Sequence, residues 1–125
     1  MDDVLILCDQ IRETAFSIHV FLGNGHLERI YENALVSRLR KLGITVQQQC
    51  AVSVLDEDGT LLGAYVADLV IEGRLLVELK ATAKLAPEHF SQILGYLKAT
   101  RLEHGLLINF GAQKLEIRKL IFSRE

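Results

Sequence analysis

The sequence predicts an α/β or α+β sandwich built on a mixed central sheet. Three observations carry this. Two stretches of helical period open the chain, extended segments bounded by turn residues follow, and one later helix separates two of those segments. In the first stretch, Val4, Leu7, Cys8, Ile11, Ala15, Ile18 and Phe21 recur at helical spacing, and Gly23-Asn24-Gly25 stops the helix with residues that tolerate positive φ. A second helix is predicted from about Leu27 to Lys41, with Leu27, Ile30, Tyr31, Ala34, Leu35, Arg38 and Leu39 on a broad face. Gly43 ends it, and Arg38, Arg40 and Lys41 suit the negative end of its dipole.

The period then changes. Ile44 to Leu55 reads as a strand, Asp56-Glu57-Asp58-Gly59 as a turn, and Leu61 to Ile71 as the returning strand. A tight reversal at Glu72-Gly73-Arg74 leads into a strand from Leu75 to Ala81. Pro87 suits the first position of a helix, where its missing N–H costs nothing, and Phe90, Ile93, Leu94, Leu97 and Arg101 trace one side to about Thr100. Leu106 to Phe110, a turn at Gly111-Ala112-Gln113, and Leu115 to Phe122 close the order α-α-β-β-β-α-β-β. The strands around Val66 and Val77 are apolar on both faces, as expected where helices cover both sides of a sheet. The segment between Leu75–Ala81 and Leu106–Phe110 is long enough for a right-handed parallel crossover.

The chain's 125 residues fit one domain, 1–125, and no repeat or low-complexity linker divides them. Half the residues are hydrophobic and one is proline, which argues against disorder. Fourteen Lys and Arg against sixteen Asp and Glu leave a net charge of −2, which excludes a histone-like binder but permits a local basic groove. Cys8 and Cys50 lie far apart with no CxxC, so a reducing, cytoplasmic setting is expected and a zinc site lacks ligands. No apolar run is long enough to span a bilayer, and the acidic start Met1-Asp2-Asp3 is unlike a signal peptide.

The anomaly lies in the central strands, where Asp68, Glu78 and Lys80 interrupt apolar runs. A carboxylate there is costly unless it is paired, hydrogen-bonded or holding a metal. Glu78 and Lys80, two apart, share a strand face. A two-residue turn at Glu72-Gly73 would set Asp68 opposite Val77 and the acids on opposite faces, whereas a three-residue loop sets Asp68 opposite Glu78. Gly73 can supply the left-handed backbone the longer loop needs, and that register is the one predicted. Facing carboxylates repel unless an ion such as Mg²⁺ or Mn²⁺ lies between them. Such a site, with Lys80 orienting water or offsetting charge on phosphorus, suits metal-dependent phosphodiester hydrolysis. The short pattern also fits a salt-bridged strand pair in which Lys80 neutralises an acid.

Gln92 and Tyr96 are neighbours on the following helix, with His89 one turn earlier. By themselves they read as a partly exposed helix edge. Glu28 near a helix start reads as an ordinary first-turn acid. His26 and His89 could border a cleft, although lone histidines at helix starts are commonly surface residues.

Together, Gly25-x-x-Glu28-x-x-Tyr31, Tyr65-x-Ala-Asp68, Val77-Glu78-Leu-Lys80, Gln92-x-x-x-Tyr96-Leu-Lys and Gly105-Leu-Leu-Ile-Asn-Phe-Gly111 resemble the GxxExxY protein family, which is similar to the PD-(D/E)XK nuclease superfamily. The resemblance spans about Ile11 to Phe122 and implies a restriction-endonuclease-like core. It implies Asp68 and Glu78 as metal ligands for Mg²⁺ or Mn²⁺, Lys80 as the catalytic lysine, and Glu28 as a helical acid reaching the same site. Gln92 and Tyr96 match a glutamine-tyrosine motif that contacts the metal shell or the nucleic-acid backbone. Ala67 stands where the family pattern has proline, which removes no ligand. The implied activity is a Mg²⁺-dependent nuclease acting on DNA or RNA. The alternative is a non-catalytic module of the same fold that binds a nucleotide, nucleic acid or protein partner. A membrane partner is not expected, and a homodimer is one route by which so small a chain embraces a duplex.

Overall fold

The computed structural model describes residues 3–123. Helices α1 (Asp3–Leu22) and α2 (Glu28–Lys41) are followed by strands β1 (Val46–Leu55), β2 (Leu61–Ile71) and β3 (Leu75–Lys80). Helix α3 (Pro87–Ala99) and strands β4 (His104–Asn109) and β5 (Glu116–Ile121) complete the order expected from periodicity. The five strands form one sheet in sequence order. The β3–β4 pair is parallel and the other three pairs are antiparallel, so α3 is the crossover between parallel neighbours.

The sheet separates two apolar layers. On one side, α1 and α2 bury Ile11, Ile18, Tyr31, Leu35 and Leu39 against Leu69, Ile71, Val77, Leu79, Ile108 and Phe110. On the other, Ile93, Tyr96 and Leu97 of α3 pack on Val52, Ala67, Leu76 and Leu107. Burying strands β3 and β4 on both faces explains the consecutive apolar residues Leu75-Leu76-Val77 and Leu106-Leu107-Ile108.

Two expectations are corrected. The stretch around Val66 is not covered on both sides: Leu61 through Val66 are exposed, because the β1–β2 hairpin overhangs the helical layers and β2 becomes buried only from Ala67 onward. The predicted buried faces of the helices were also too wide. Phe21, Leu27 and Ile30 are exposed, and Leu27 is the N-cap of α2 rather than part of its packed face.

The hairpin contains an irregularity with consequences for the site. Gln48 pairs with Leu69 and Cys50 with Ala67, and the intervening Gln49 and Asp68 do not pair. Gln49 has φ of 54°, a left-handed conformation rare for a side-chain-bearing residue. In a regular strand Val46 and Val52 would share a face, as would Leu69 and Ala67. Instead Val46 and Leu69 belong to the α1–α2 layer while Val52 and Ala67 belong to the α3 layer. Both strands therefore exchange faces at Gln49 and Asp68.

Candidate active site

The reversal after β2 sets the register. Glu72 (φ 55°) and Gly73 (φ 63°) are both left-handed, and the Arg74 N–H donates to the Ile71 carbonyl at 3.0 Å. Ile71 pairs with Leu75, Val70 with Leu76 and Leu69 with Val77, so three residues lie in the loop, as predicted, and the next position aligns Asp68 with Glu78.

The ladder opens at that point, and carboxylates take over its hydrogen bonds. The Asp68 backbone N–H donates to Glu78 Oε1 at 3.0 Å, and the Leu79 N–H donates to Asp68 Oδ2 at 2.8 Å. Glu78 is only 3% exposed. Burial, and then the adjacent Asp68 carboxylate, push its pKa up to about 9, while Lys80 acts weakly in the opposite direction. Two acids thus share a poorly solvated space with too little positive charge to balance them.

Lys80, on the same face of β3 as Glu78, extends toward α3. Its Nζ donates to Gln92 Oε1 at 3.0 Å, and Gln92 Nε2 donates to the Tyr96 hydroxyl at 2.9 Å. The four-residue spacing of Gln92 and Tyr96 makes this chain possible. Glu28, at the start of α2, approaches from the opposite layer. Its carboxyl is raised first by burial and then by Asp68, and is lowered by Lys80, so it shares their electrostatic field. Among the described residues, no group of three or more His, Cys, Asp or Glu is arranged to hold a metal ion. Hydrogen bonds therefore join Asp68 to Glu78 and, separately, Lys80 to Gln92 and Tyr96, and charge links these two sets with each other and with Glu28.

Other sequence features have structural roles. Tyr31 is fully buried, its ring stacked on Phe110 with centroids 4.7 Å apart. Its hydroxyl donates to the Gly23 carbonyl and accepts from the His26 N–H at 3.1 Å, pinning the α1–α2 loop in which Gly25 needs φ of 110°. The GxxExxY stretch thus holds the loop that delivers Glu28. The His89 ring nitrogen accepts the Ala86 N–H at 3.0 Å and caps α3, and the His26 ring lies edge-on to Tyr31.

Three residues to which the sequence assigned no role support the site. Buried Glu32 accepts hydrogen bonds from Gln48 and Gln49, and Gln49 Nε2 also reaches Asp68 Oδ1 at 3.5 Å. The polar run Gln47-Gln48-Gln49 was the available signal. Asn109 is fully buried; its side chain accepts from the Thr82 and Gly111 N–H groups and donates to the Thr82 carbonyl and Glu116. It clamps the segment that follows Lys80.

A mixed sheet between helices, with paired acids and a lysine where a central strand ends, defines a nuclease-fold protein. The chain belongs to the PD-(D/E)XK nuclease superfamily, whose model matches residues 6–120. Its fold is similar to that in the crystal structure of SSO0001, with a TM-score of 0.59 and 17% identity over 78% of this chain and 50% of that one. The chain thus spans about half the length of that protein. A search of curated proteins found no match. No helix among the described residues is long and apolar enough to cross a membrane.

Proposed function

We propose that this chain is a divalent-metal-dependent nuclease that hydrolyses phosphodiester bonds in nucleic acid. The observation that carries the reading is the convergence of Asp68 and Glu78 where the β2–β3 ladder opens, beside Lys80. Two acids forced together in a buried space are hard oxygen donors whose repulsion a cation relieves, and Mg²⁺ commonly uses one or two carboxylates with water and substrate phosphate completing its shell. Asp68 and Glu78 are the proposed ligands, with Mg²⁺ or Mn²⁺ as the ion.

Bound there, the ion would polarise the phosphate and favour hydroxide formation from water. Gln92 and Tyr96 hold the Lys80 ammonium toward the α3 side of the acids, where it orients the attacking water or offsets charge growing on phosphorus. Glu28, from the opposite side, would reach the same site directly or through water. Gln49, supported by Glu32, positions Asp68.

The test is cleavage of DNA and RNA oligonucleotides with and without Mn²⁺, using wild type, Glu78→Ala and Lys80→Ala. The reading expects metal-dependent cleavage by wild type and loss of about 100-fold or more in each variant. Equal cleavage by all three proteins would indicate a contaminant and reject it.

A further inference from the structure

A groove of about 510 Å³ lies along the C-terminal end of α3, walled on its other side by the β1–β2 hairpin. Tyr65, Gly95, Lys98, Thr100 and Arg101 line it. Tyr65 joins it to the site, because its ring lies 4.9 Å from that of Tyr96, which ends the Lys80–Gln92–Tyr96 chain. Resting on the nuclease reading above, we infer that this groove holds a single-stranded segment of the nucleic-acid substrate, with phosphates on Lys98 and Arg101 and a base on the Tyr65 ring.

Charge supports this occupant. The chain is acidic overall, yet the groove lining has two cations and no carboxylate. The C-terminal end of α3 carries only about half a negative charge, which exposed Lys98 and Arg101 outweigh within the lining itself. The overhang supplies the second argument. Tyr65 is 42% exposed on a strand that continues past the helical layers, which leaves aromatic surface open for stacking opposite the cations. A duplex keeps its bases stacked inside, whereas a single strand offers both base faces and phosphates. Gly95 keeps the passage open: a Cβ there would lie 4.0 Å from the Tyr65 hydroxyl, so a longer side chain would fill the gap.

The test is fluorescence anisotropy with oligodeoxyuridylate, oligouridylate and a blunt DNA duplex, in EDTA to prevent cleavage. Lys98→Ala/Arg101→Ala should weaken single-strand binding by roughly 10-fold or more and reduce the salt slope by about 1.4, the value for two lost phosphate contacts. Tyr65→Ala should weaken it while Tyr65→Phe retains it, and duplex binding should change little. Comparing the two single strands tells which sugar is accepted. A Mn²⁺-induced rise in melting temperature should persist in every groove variant, whereas Glu78→Gln should lose that rise yet keep single-strand affinity. Failure of wild type to show the rise therefore counts against the metal site, not the groove. Absence of single-strand binding, unchanged affinity in the groove variants, or an equal loss of duplex binding overturns the inference.

Discussion

At Glu78 the folded and unfolded chains differ over a proton. Burial and the neighbouring Asp68 raise its pKa from 4.5 to about 9, so the folded chain keeps a proton that the unfolded chain releases above about pH 4.5. The unfolded state then binds fewer protons, and stability falls as pH rises through that window. Metal-free protein should lose up to about 1 kcal/mol per pH unit between about pH 5 and pH 8.5, measured by urea denaturation. Glu78→Gln, neutral and similar in shape, should flatten this slope, and wild type should match it if the proton is absent. Tyr31 offers a second test. Tyr31→Phe keeps the Phe110 stack but strands the loop groups that its hydroxyl serves. A loss of about 1–3 kcal/mol should appear in the same denaturation measurement.

Among the elements, the segment following β3 decides where Lys80 ends up. Gly111 packs against it so closely that a Cβ would lie 2.2 Å from the Thr82 nitrogen and 2.4 Å from the Ala81 carbonyl carbon. Those are backbone atoms and cannot swing aside. Gly111→Ala should therefore push β4 and the β3–α3 connection apart, lowering the melting temperature sharply. Asn109→Ala leaves Thr82 polar groups without partners and should cost about 2–4 kcal/mol. The element order was legible from periodicity because helix and strand spacing are local. The three-residue reversal was legible from a count of residues and one glycine. The Asn109 clamp was not, since an asparagine near a strand end shows nothing of a partner 27 positions away.

Across the whole molecule, the two apolar layers are built from packed aliphatic and aromatic side chains, so the fold is expected to be stable without metal. Far-ultraviolet circular dichroism and cooperative unfolding should be retained in EDTA, and adding Mn²⁺ near pH 8 should raise the melting temperature. Loss of cooperative unfolding in EDTA would show that the ion is structural instead. The proposed site lies where the layers meet: Glu28 comes from the α1–α2 side, Lys80 and Gln92 from the α3 side, and Asp68 from the strand crossing between them. This arrangement explains how residues dispersed from position 28 to position 96 converge.

Acids and a lysine set within apolar runs, together with the residue count across the reversal, single out Asp68, Glu78 and Lys80 in the sequence itself, because charge in a buried strand is costly wherever the strand lies. The face exchange at Gln49 and Asp68, the Glu32–Gln49 support and the overhang that exposes Tyr65 came only with the fold. Each depends on which distant segment packs against a residue. Periodicity along one strand cannot report that, since a strand that changes faces midway keeps the same alternating pattern of residues.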